Sequence, residues 1–423
     1  MLLFLSGQMN EINERADKVH QELLPKFFEM GKVVEHNQAK VLNAFKKAGV
    51  SDFHFQASTG YGYDDAGRET LEKVYADVFN AEAAIVRNQI VSGTHAISTA
   101  LFGILRPGDE LLYVTGRPYD TLEEVIGIRG KKNAGSLNEF GITYREVPLS
   151  EGKIDIKKIL STIKPHTKII GMQRSCGYGD RPSIGIEELR EAISSIKKVY
   201  PQIVIFVDNC YGEFVETLEP TDAGADLVAG SLIKNPGGGI AKSGGYIVGR
   251  KKLIEQCGNR LTAPGIGLEG GASLGTLLDM FQGFFLAPHV VGESLKGAVF
   301  SSALLSSFGM TTSPGPDEQR TDLIQSVSFP NREAMILFCQ EIQAHSPVDA
   351  HVKPYPSAMP GYESEVIMAA GAFIQGASIE LSADGPLREP YKAYVQGGLT
   401  FEHIKIAVTA SLVSLYEKEI LTV

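Results

Sequence analysis

Between residues 83 and 250, short apolar runs alternate with longer stretches of helical character, and this limits the folds open to the chain more than any other feature. Such alternation is typical of a mostly parallel sheet that is covered by helices on both faces. We therefore predict an α/β fold. The apolar runs lie at 83–86, 110–114, 168–172, 203–207, 226–229 and 246–248.

A chain of 423 residues is longer than one ordinary domain, so we expect the regions that flank this pattern to form separate structural parts. Residues 9–48 have apolar positions three or four apart, which predicts a helical arm. A long apolar stretch at 268–310 would join the sheet domain to a smaller one, with a strand at 377–381 and a closing helix near 402–419. We predict an N-terminal arm (1–60), a large domain (61–290) and a small α+β C-terminal domain (291–423).

Composition argues against several classes of partner. The formal net charge is −10, from 40 basic and 50 acidic residues, with no basic cluster to bind nucleic acid or an acidic membrane. The apolar start, residues 1–5 (MLLFL), has no basic flank and is shorter than a signal-peptide core, so we expect a cytoplasmic protein. Four scattered cysteines without metal-ligand spacing predict neither a zinc site nor a disulfide framework. A small-molecule partner fits best.

Lys234 is the first candidate for chemistry. It ends the segment 230–234 (GSLIK) and precedes the glycine string 235–239 (NPGGG). We expect burial to lower the pKa of its amine and make it a nucleophile, although a lysine that extends to solvent from a strand end is the alternative. Three glycines would let backbone approach a ligand, and their spacing does not match a dinucleotide fingerprint. Ser231 could bind a phosphate beside the lysine.

Asp208 is the second candidate, because it ends the β-branched run 203–207. It could cap the next element, bind magnesium or pair with a protonated ring nitrogen. With Lys234 close behind in sequence, the last role is favoured. A reactive lysine and a strand-end carboxylate are the two polar contacts that pyridoxal phosphate most needs, so we predict this cofactor.

Two further segments follow predicted strands. Ser92-Gly93-Thr94 opens a helical stretch and offers free backbone N–H groups and hydroxyls to a phosphate, although one such residue could simply be an N-cap. Tyr119 follows the strand at 110–114, where its ring could stack on a flat heterocycle or pack on the neighbouring helix.

Arg388 is the candidate for substrate binding, because it lies in the smaller domain after the predicted strand at 377–381. Arginine can hold an amino-acid carboxylate through two parallel hydrogen bonds. Surface arginines are common, so this choice depends on position alone.

In this order, these positions resemble the fold-type I pyridoxal phosphate enzymes of the branch that contains cystathionine β-lyase, cystathionine γ-synthase and methionine γ-lyase. The likeness covers roughly residues 60–250. Within the branch, the chain is similar to the subgroup labelled aluminium-resistance or methionine γ-lyase-like proteins, through 60–65 (GYGYDD), 173–175 (QRS) and 382–391 (SADGPLREPY).

The resemblance implies a seven-stranded sheet and a homodimer, or a tetramer of dimers, in which a second subunit completes each site. Family members carry a Tyr-Ser-Arg motif that reaches the phosphate of the adjacent subunit. Here the comparable stretch has Tyr61 and Tyr63 without the arginine, so Tyr63 is the expected cofactor contact. The family's substrate arginine stands in an Arg-Leu-Ser-Val-Gly segment, whereas this chain reads IELSA at 379–383, and Arg388 is the substitute.

The resemblance also implies a reaction. Lys234 would remove the α-proton of a sulfur-containing amino acid, Tyr119 would assist proton transfer, and β- or γ-elimination would give a thiol, ammonia and a 2-oxo acid. The alternatives are a transferase, either an aminotransferase or a γ-replacement enzyme, and a cofactor-bound regulatory protein with little turnover.

Overall fold

The computed structural model describes residues 2–359, 362 and 364–420, so the initial Met1 lies outside the described residues. The helices are α1 (Leu2–Ala48), α2 (Ala66–Val78), α3 (Gly93–Ile104), α4 (Asp120–Ile126), α5 (Ile156–Thr162), α6 (Ile186–Val199), α7 (Lys251–Leu261), α8 (Leu277–Ser307), α9 (Arg332–Ala344) and α10 (Phe401–Glu417). The strands are β1 (Ala83–Arg87), β2 (Glu110–Tyr113), β3 (Thr143–Glu146), β4 (Thr167–Gln173), β5 (Val204–Asp208), β6 (Leu227–Ser231), β7 (Gly245–Gly249), β8 (Thr312–Ser313), β9 (Gln325–Ser328), β10 (Val366–Ala369), β11 (Ser382–Pro386) and β12 (Lys392–Gln396).

The larger sheet has seven strands in the order β1-β7-β6-β5-β4-β2-β3. The strands from β6 to β3 in that order are parallel, while β7 is antiparallel to both of its neighbours. Alternate side chains of β5 enter different apolar clusters, with Ile205 and Val207 on one face and Val204 and Phe206 on the other. Both faces are thus covered by helices, which confirms the predicted α/β fold with its mostly parallel seven-stranded sheet.

The smaller sheet contains five antiparallel strands in the order β10-β11-β12-β9-β8. Helices α9 and α10 supply much of the apolar cluster that covers it. The strand predicted at 377–381 is wrong, since that segment is irregular and β11 begins at Ser382. The carboxylate of Glu380 accepts hydrogen bonds from the backbone N–H of Phe373 (2.9 Å) and of Ile374 (2.8 Å), and this local bonding replaces strand pairing.

Helix α1 packs along α8, which runs from the large sheet to the small one. The predicted division at residue 290 falls inside α8, and the three-part division of the chain stays a prediction. At Gly283 the backbone of α8 approaches the glycine string so closely that a Cβ there would lie 2.2 Å from the carbonyl oxygen of Gly237. Among the described residues, no helix is both long and apolar enough to span a membrane.

Candidate active site

One cavity of about 300 Å³ lies at the carboxyl edge of the large sheet. The ends of β4, β5 and β6 and the beginning of α3 converge there, because the carboxyl ends of parallel strands share one edge of a sheet. Apart from Tyr63 and Arg388, every predicted site residue lines this cavity: Ser92, Gly93, Thr94, Tyr119, Asp208, Ser231 and Lys234.

Lys234 follows β6, and its Nζ lies 3.8 Å from the centre of the Tyr211 ring. Tyr211 has a φ of 69°, a left-handed conformation that is costly for a residue with a Cβ and is often found at functional sites. Burial alone would lower the pKa of Lys234, but Tyr211, Cys210 and Asp208 raise it above its ordinary value. The expected lowering is therefore wrong, because the fold places the ionisable groups of Tyr211, Cys210 and Asp208 around this amine.

Asp208 is the last residue of β5 and is 6% exposed. Its Oδ1 accepts a hydrogen bond from the backbone N–H of Cys210 (3.1 Å). Burial raises the pKa of this carboxyl, while the Cys210 hydrogen bond and the charge of Lys234 act in the opposite direction. Within the described residues, no group of three or more His, Cys, Asp or Glu side chains could hold a metal ion.

The segment Ser92-Gly93-Thr94 forms the N-terminus of α3. The Ser92 hydroxyl caps the helix by accepting from the N–H of His95 (3.1 Å), so the N-cap reading holds as well. The first amides of a helix have no intrahelical acceptor and attract anions. Space for an anion depends on Gly93, since a Cβ there would lie 3.2 Å from Cys210 Sγ and 3.3 Å from Ser231 Cβ.

These groups fit pyridoxal phosphate. The N-terminus of α3 and Ser231 offer donors for a phosphate, Asp208 offers a buried carboxyl for the ring nitrogen, and Lys234 offers the amine. Tyr119 lies on the same cavity, and its backbone N–H donates to Gln173 Oε1 (2.8 Å) at the end of β4. That bond fixes the start of α4 against the sheet edge.

A wall of tyrosines faces Lys234, and only Tyr119 among them was anticipated. The Tyr178 ring centre lies 6.2 Å from that of Tyr119, 5.7 Å from that of Tyr362 and 5.0 Å from that of Tyr394. The hydroxyls of Tyr119 and Tyr362 are hydrogen bonded to each other. Tyr178 lies in the loop after β4, and the rule that such loops face the ligand would have identified it.

A buried carboxyl stands behind this wall. Asp384, in β11, is fully buried, and its Oδ2 accepts from Gln396 Nε2 (3.0 Å). Burial raises the pKa of Asp384 to about 7, although Tyr178 and Gln396 both lower it. In the described part of the chain, its Oδ1 has no partner in hydrogen-bonding geometry.

Tyr63 and Arg388 lie outside the cavity. Tyr63 is 54% exposed and stacks on Tyr61, with ring centres 5.4 Å apart. Arg388 is exposed and lines a neighbouring cavity of about 420 Å³. The structure thus does not bring Arg388 together with Lys234, and its role as a carboxylate ligand stays a prediction. The two cavities share Tyr119, Gln173, Gly177 and Tyr178.

Comparisons with a family model, with curated sequences and with solved structures all indicate the same family. The family model for methionine gamma-lyase matches residues 12–416. The uncharacterized protein YnbB of Bacillus subtilis (strain 168) is 59% identical over 411 residues, which cover 97% of this chain and 98% of that protein.

Solved structures agree. A protein from Listeria monocytogenes, provisionally named a cystathionine beta-lyase involved in aluminum resistance, is 61% identical with a TM-score of 0.93, covering 95% of this chain and 99% of that one. A carbon-sulfur lyase involved in aluminum resistance from Clostridium novyi NT is 47% identical with a TM-score of 0.92, covering 98% of each chain. The chain therefore belongs to the methionine gamma-lyase family and has the fold of the fold-type I pyridoxal phosphate enzymes.

Proposed function

We propose that the protein is a pyridoxal phosphate-dependent carbon–sulfur lyase that acts on a sulfur-containing amino acid. The observation that carries this proposal is the single cavity that holds Lys234, Asp208 and the N-terminus of α3. Family membership supports it, as does the carbon-sulfur lyase name of the Clostridium novyi relative.

The cofactor, when bound, supplies an aldehyde for lysine attachment and a ring that accepts electrons from the substrate α-carbon. Lys234 takes the substrate α-proton and returns a proton later in the reaction. Asp208 holds a proton on the ring nitrogen, and Ser92, Gly93 and Ser231 bind the phosphate. Elimination then releases a thiol, and reaction of the remaining unsaturated amino acid with one water molecule gives ammonia and a 2-oxo acid.

We also propose that the active form is a homodimer whose two copies meet over Tyr61 and Tyr63. Backbone hydrogen bonds hold the segment that contains Leu274 beside these exposed rings: the N–H of Gly271 donates to the carbonyl of Tyr61 (2.8 Å), and that of Leu274 donates to the carbonyl of Ser58 (3.2 Å). The Leu274 side chain is itself 64% exposed. A second copy would cover this apolar surface and bring Tyr63 toward a cofactor. Light scattering of wild type and Tyr63→Ala tests this, and a monomeric wild type would contradict it.

The function is tested by visible absorbance and product analysis. Purified wild type, loaded with pyridoxal phosphate, should show the cofactor's visible band and convert cysteine, cystathionine or methionine to a 2-oxo acid and a thiol. Lys234→Ala should alter or lose the band and form no product, because no amine remains to hold the cofactor or move the proton. A wild type that stays colourless after incubation with the cofactor would refute the proposal.

The same assays separate the alternatives. An aminotransferase would convert the cofactor to its amine form when given an amino acid alone, and would release no thiol. A γ-replacement enzyme would need an added nucleophile for fast turnover. A regulatory protein would keep its visible band and release no 2-oxo acid from any amino acid.

A further inference from the structure

The motif at 382–391 (SADGPLREPY) contains a fully buried acidic residue, Asp384, at 0% exposure. Its strand β11 lies between β10 and β12, with Met368 and Tyr394 at the register positions beside it. Both of these neighbours line the Lys234 cavity. The motif therefore contributes an acid to the small-domain wall of the candidate site, a feature that the proposed function leaves unexplained.

Asp384 does not line the cavity itself and acts through two residues that do. Gln396 Nε2 donates to its Oδ2 (3.0 Å), and Tyr394, which lies opposite Asp384 in the strand register, packs on Tyr178 with ring centres 5.0 Å apart. Asp384 and Tyr178 each shift the pKa of the other. Oδ1 has no hydrogen-bond partner among the described residues. A buried oxygen without a hydrogen-bond partner costs stability, so the unpaired Oδ1 of this carboxyl indicates a role beyond packing.

Tyr178 occupies the junction between the Lys234 cavity and the neighbouring cavity. An amino acid whose α-carbon lies by Lys234 and whose side chain extends into the second cavity would place its carbon–sulfur bond at this junction. Tyr119 lies there too, but its hydroxyl is already bonded to that of Tyr362. Tyr178 instead has a carboxyl behind its hydroxyl, which can resupply a proton.

We propose that Asp384 is a positioning residue that holds the Tyr178 hydroxyl for proton transfer to the departing sulfur. This role depends on the proposed lyase function. Lys234 takes the α-proton, the carbon–sulfur bond breaks with its electron pair on sulfur, and sulfur takes the proton of the Tyr178 hydroxyl. The phenolate then takes the proton of the Asp384 carboxyl, which regains a proton from water.

The protonation state of Asp384 supports this sequence of proton transfers. Burial raises the pKa of Asp384 to about 7, so a neutral carboxyl is available near physiological pH. The titratable groups that face this carboxyl come from every element packed around it: Tyr178, Tyr211, Lys234, Cys339, Tyr362 and Tyr394.

The test compares pH profiles of thiol release by cofactor-loaded wild type, Asp384→Asn, Tyr178→Phe and the double variant. We expect Asp384→Asn to lower kcat at pH 7 about tenfold, to leave KM within about threefold, and to remove the fall of kcat above pH 7. Tyr178→Phe should do the same, and the double variant should be no worse than Tyr178→Phe. Glu187→Gln changes a carboxylate that is 82% exposed in α6 and lines neither cavity, and it should keep the wild-type profile.

Two measurements guard against a merely structural effect. Exchange of the α-hydrogen of L-alanine with deuterium oxide needs Lys234 but no leaving group, so Asp384→Asn should retain the wild-type rate. Independently of turnover, the urea midpoint of wild type should fall as pH rises from 5 to 8, and that of Asp384→Asn should fall less, because the folded protein holds this proton more tightly.

The proposal is overturned if the two substitutions are additive, if the pH profile of Asp384→Asn matches wild type, or if exchange and elimination fall together. Should Asp384→Asn lose its cofactor, Tyr178→Phe decides through its own profile. A wild type that binds the cofactor but eliminates no thiol from any amino acid removes the lyase function and this role together. A wild type that eliminates thiol with unaltered variants removes this role alone.

Discussion

Glu213 is a buried acid for which we predict a pH-dependent contribution to stability. It is fully buried, its Oε1 accepts from the Tyr246 hydroxyl (2.7 Å), and its Oε2 has no hydrogen-bond partner in the part of the chain described. Burial raises its pKa from the ordinary value of 4.5 to about 8, and Glu219 acts in the same direction. The folded protein therefore keeps a proton on Glu213 at a pH where the unfolded chain has lost it.

A carboxyl with a raised folded pKa makes stability fall as pH rises between the two pKa values. For values of 4.5 and about 8, the contribution of Glu213 to the free energy of unfolding should fall by about 3 kcal/mol between pH 5.5 and pH 8. Glu213→Gln has no proton to lose and keeps the oxygen that accepts from Tyr246. We expect this part of the pH dependence to disappear in the variant, so that the variant gains on wild type as pH rises.

Urea unfolding followed by circular dichroism at four values between pH 5.5 and pH 8, at one protein concentration, measures the difference. Glu187→Gln makes the same chemical change on a side chain that is 82% exposed in α6 and corrects for net charge. If the wild-type and Glu213→Gln curves run parallel to within about 0.5 kcal/mol, the variation expected of an ordinary surface substitution, then Glu213 is not held protonated and the reasoning fails.

Three further substitutions test the site. Asp208→Asn should keep the cofactor's visible band but lower kcat about a hundredfold, since a neutral amide cannot hold the ring proton; an unchanged kcat would contradict this role. Gly93→Ala should weaken cofactor binding in an absorbance titration, because its Cβ would lie 3.2 Å from a cysteine sulfur, whereas Gly31→Ala, which meets nothing within 4 Å, should bind normally. Arg388→Ala should raise KM for long, acidic substrates more than for L-cysteine, because Arg388 lines the outer cavity; equal KM changes would show no such preference.

The large sheet and the residues at its edge could be predicted because both depend on local patterns. Apolar runs mark buried strands, and parallel strands place their final residues together, so Asp208, Ser231 and Lys234 could be grouped from sequence alone. Strand β3 (Thr143–Glu146) was missed because its side chains are partly or fully exposed and form no apolar run. An edge strand of this kind has no periodic signature.

The approach of Asp384 to Tyr178 could not be predicted, because the two residues are distant in sequence and come together only through the packing of two sheets. The predicted direction of the Lys234 pKa shift was wrong for the same reason, because acidic neighbours outweigh the effect of burial. Arg388 was chosen as the substrate residue because it follows the strand predicted at 377–381, and that strand does not form. Long-range packing is the information that the local patterns lack.

The glycine string after Lys234 has a consequence for mutational surveys of this protein. Neither Gly237 nor Gly238 lines the cavity; a Cβ on Gly238 would lie 2.3 Å from the carbonyl oxygen of Gly283. These glycines therefore allow the backbone of α8, rather than a ligand, to approach closely, and the loop after Lys234 packs directly against α8. A saturation screen scored by growth or turnover would mark Gly283 as essential, although it touches no reactant. Inferring catalytic roles from intolerance alone would misassign it.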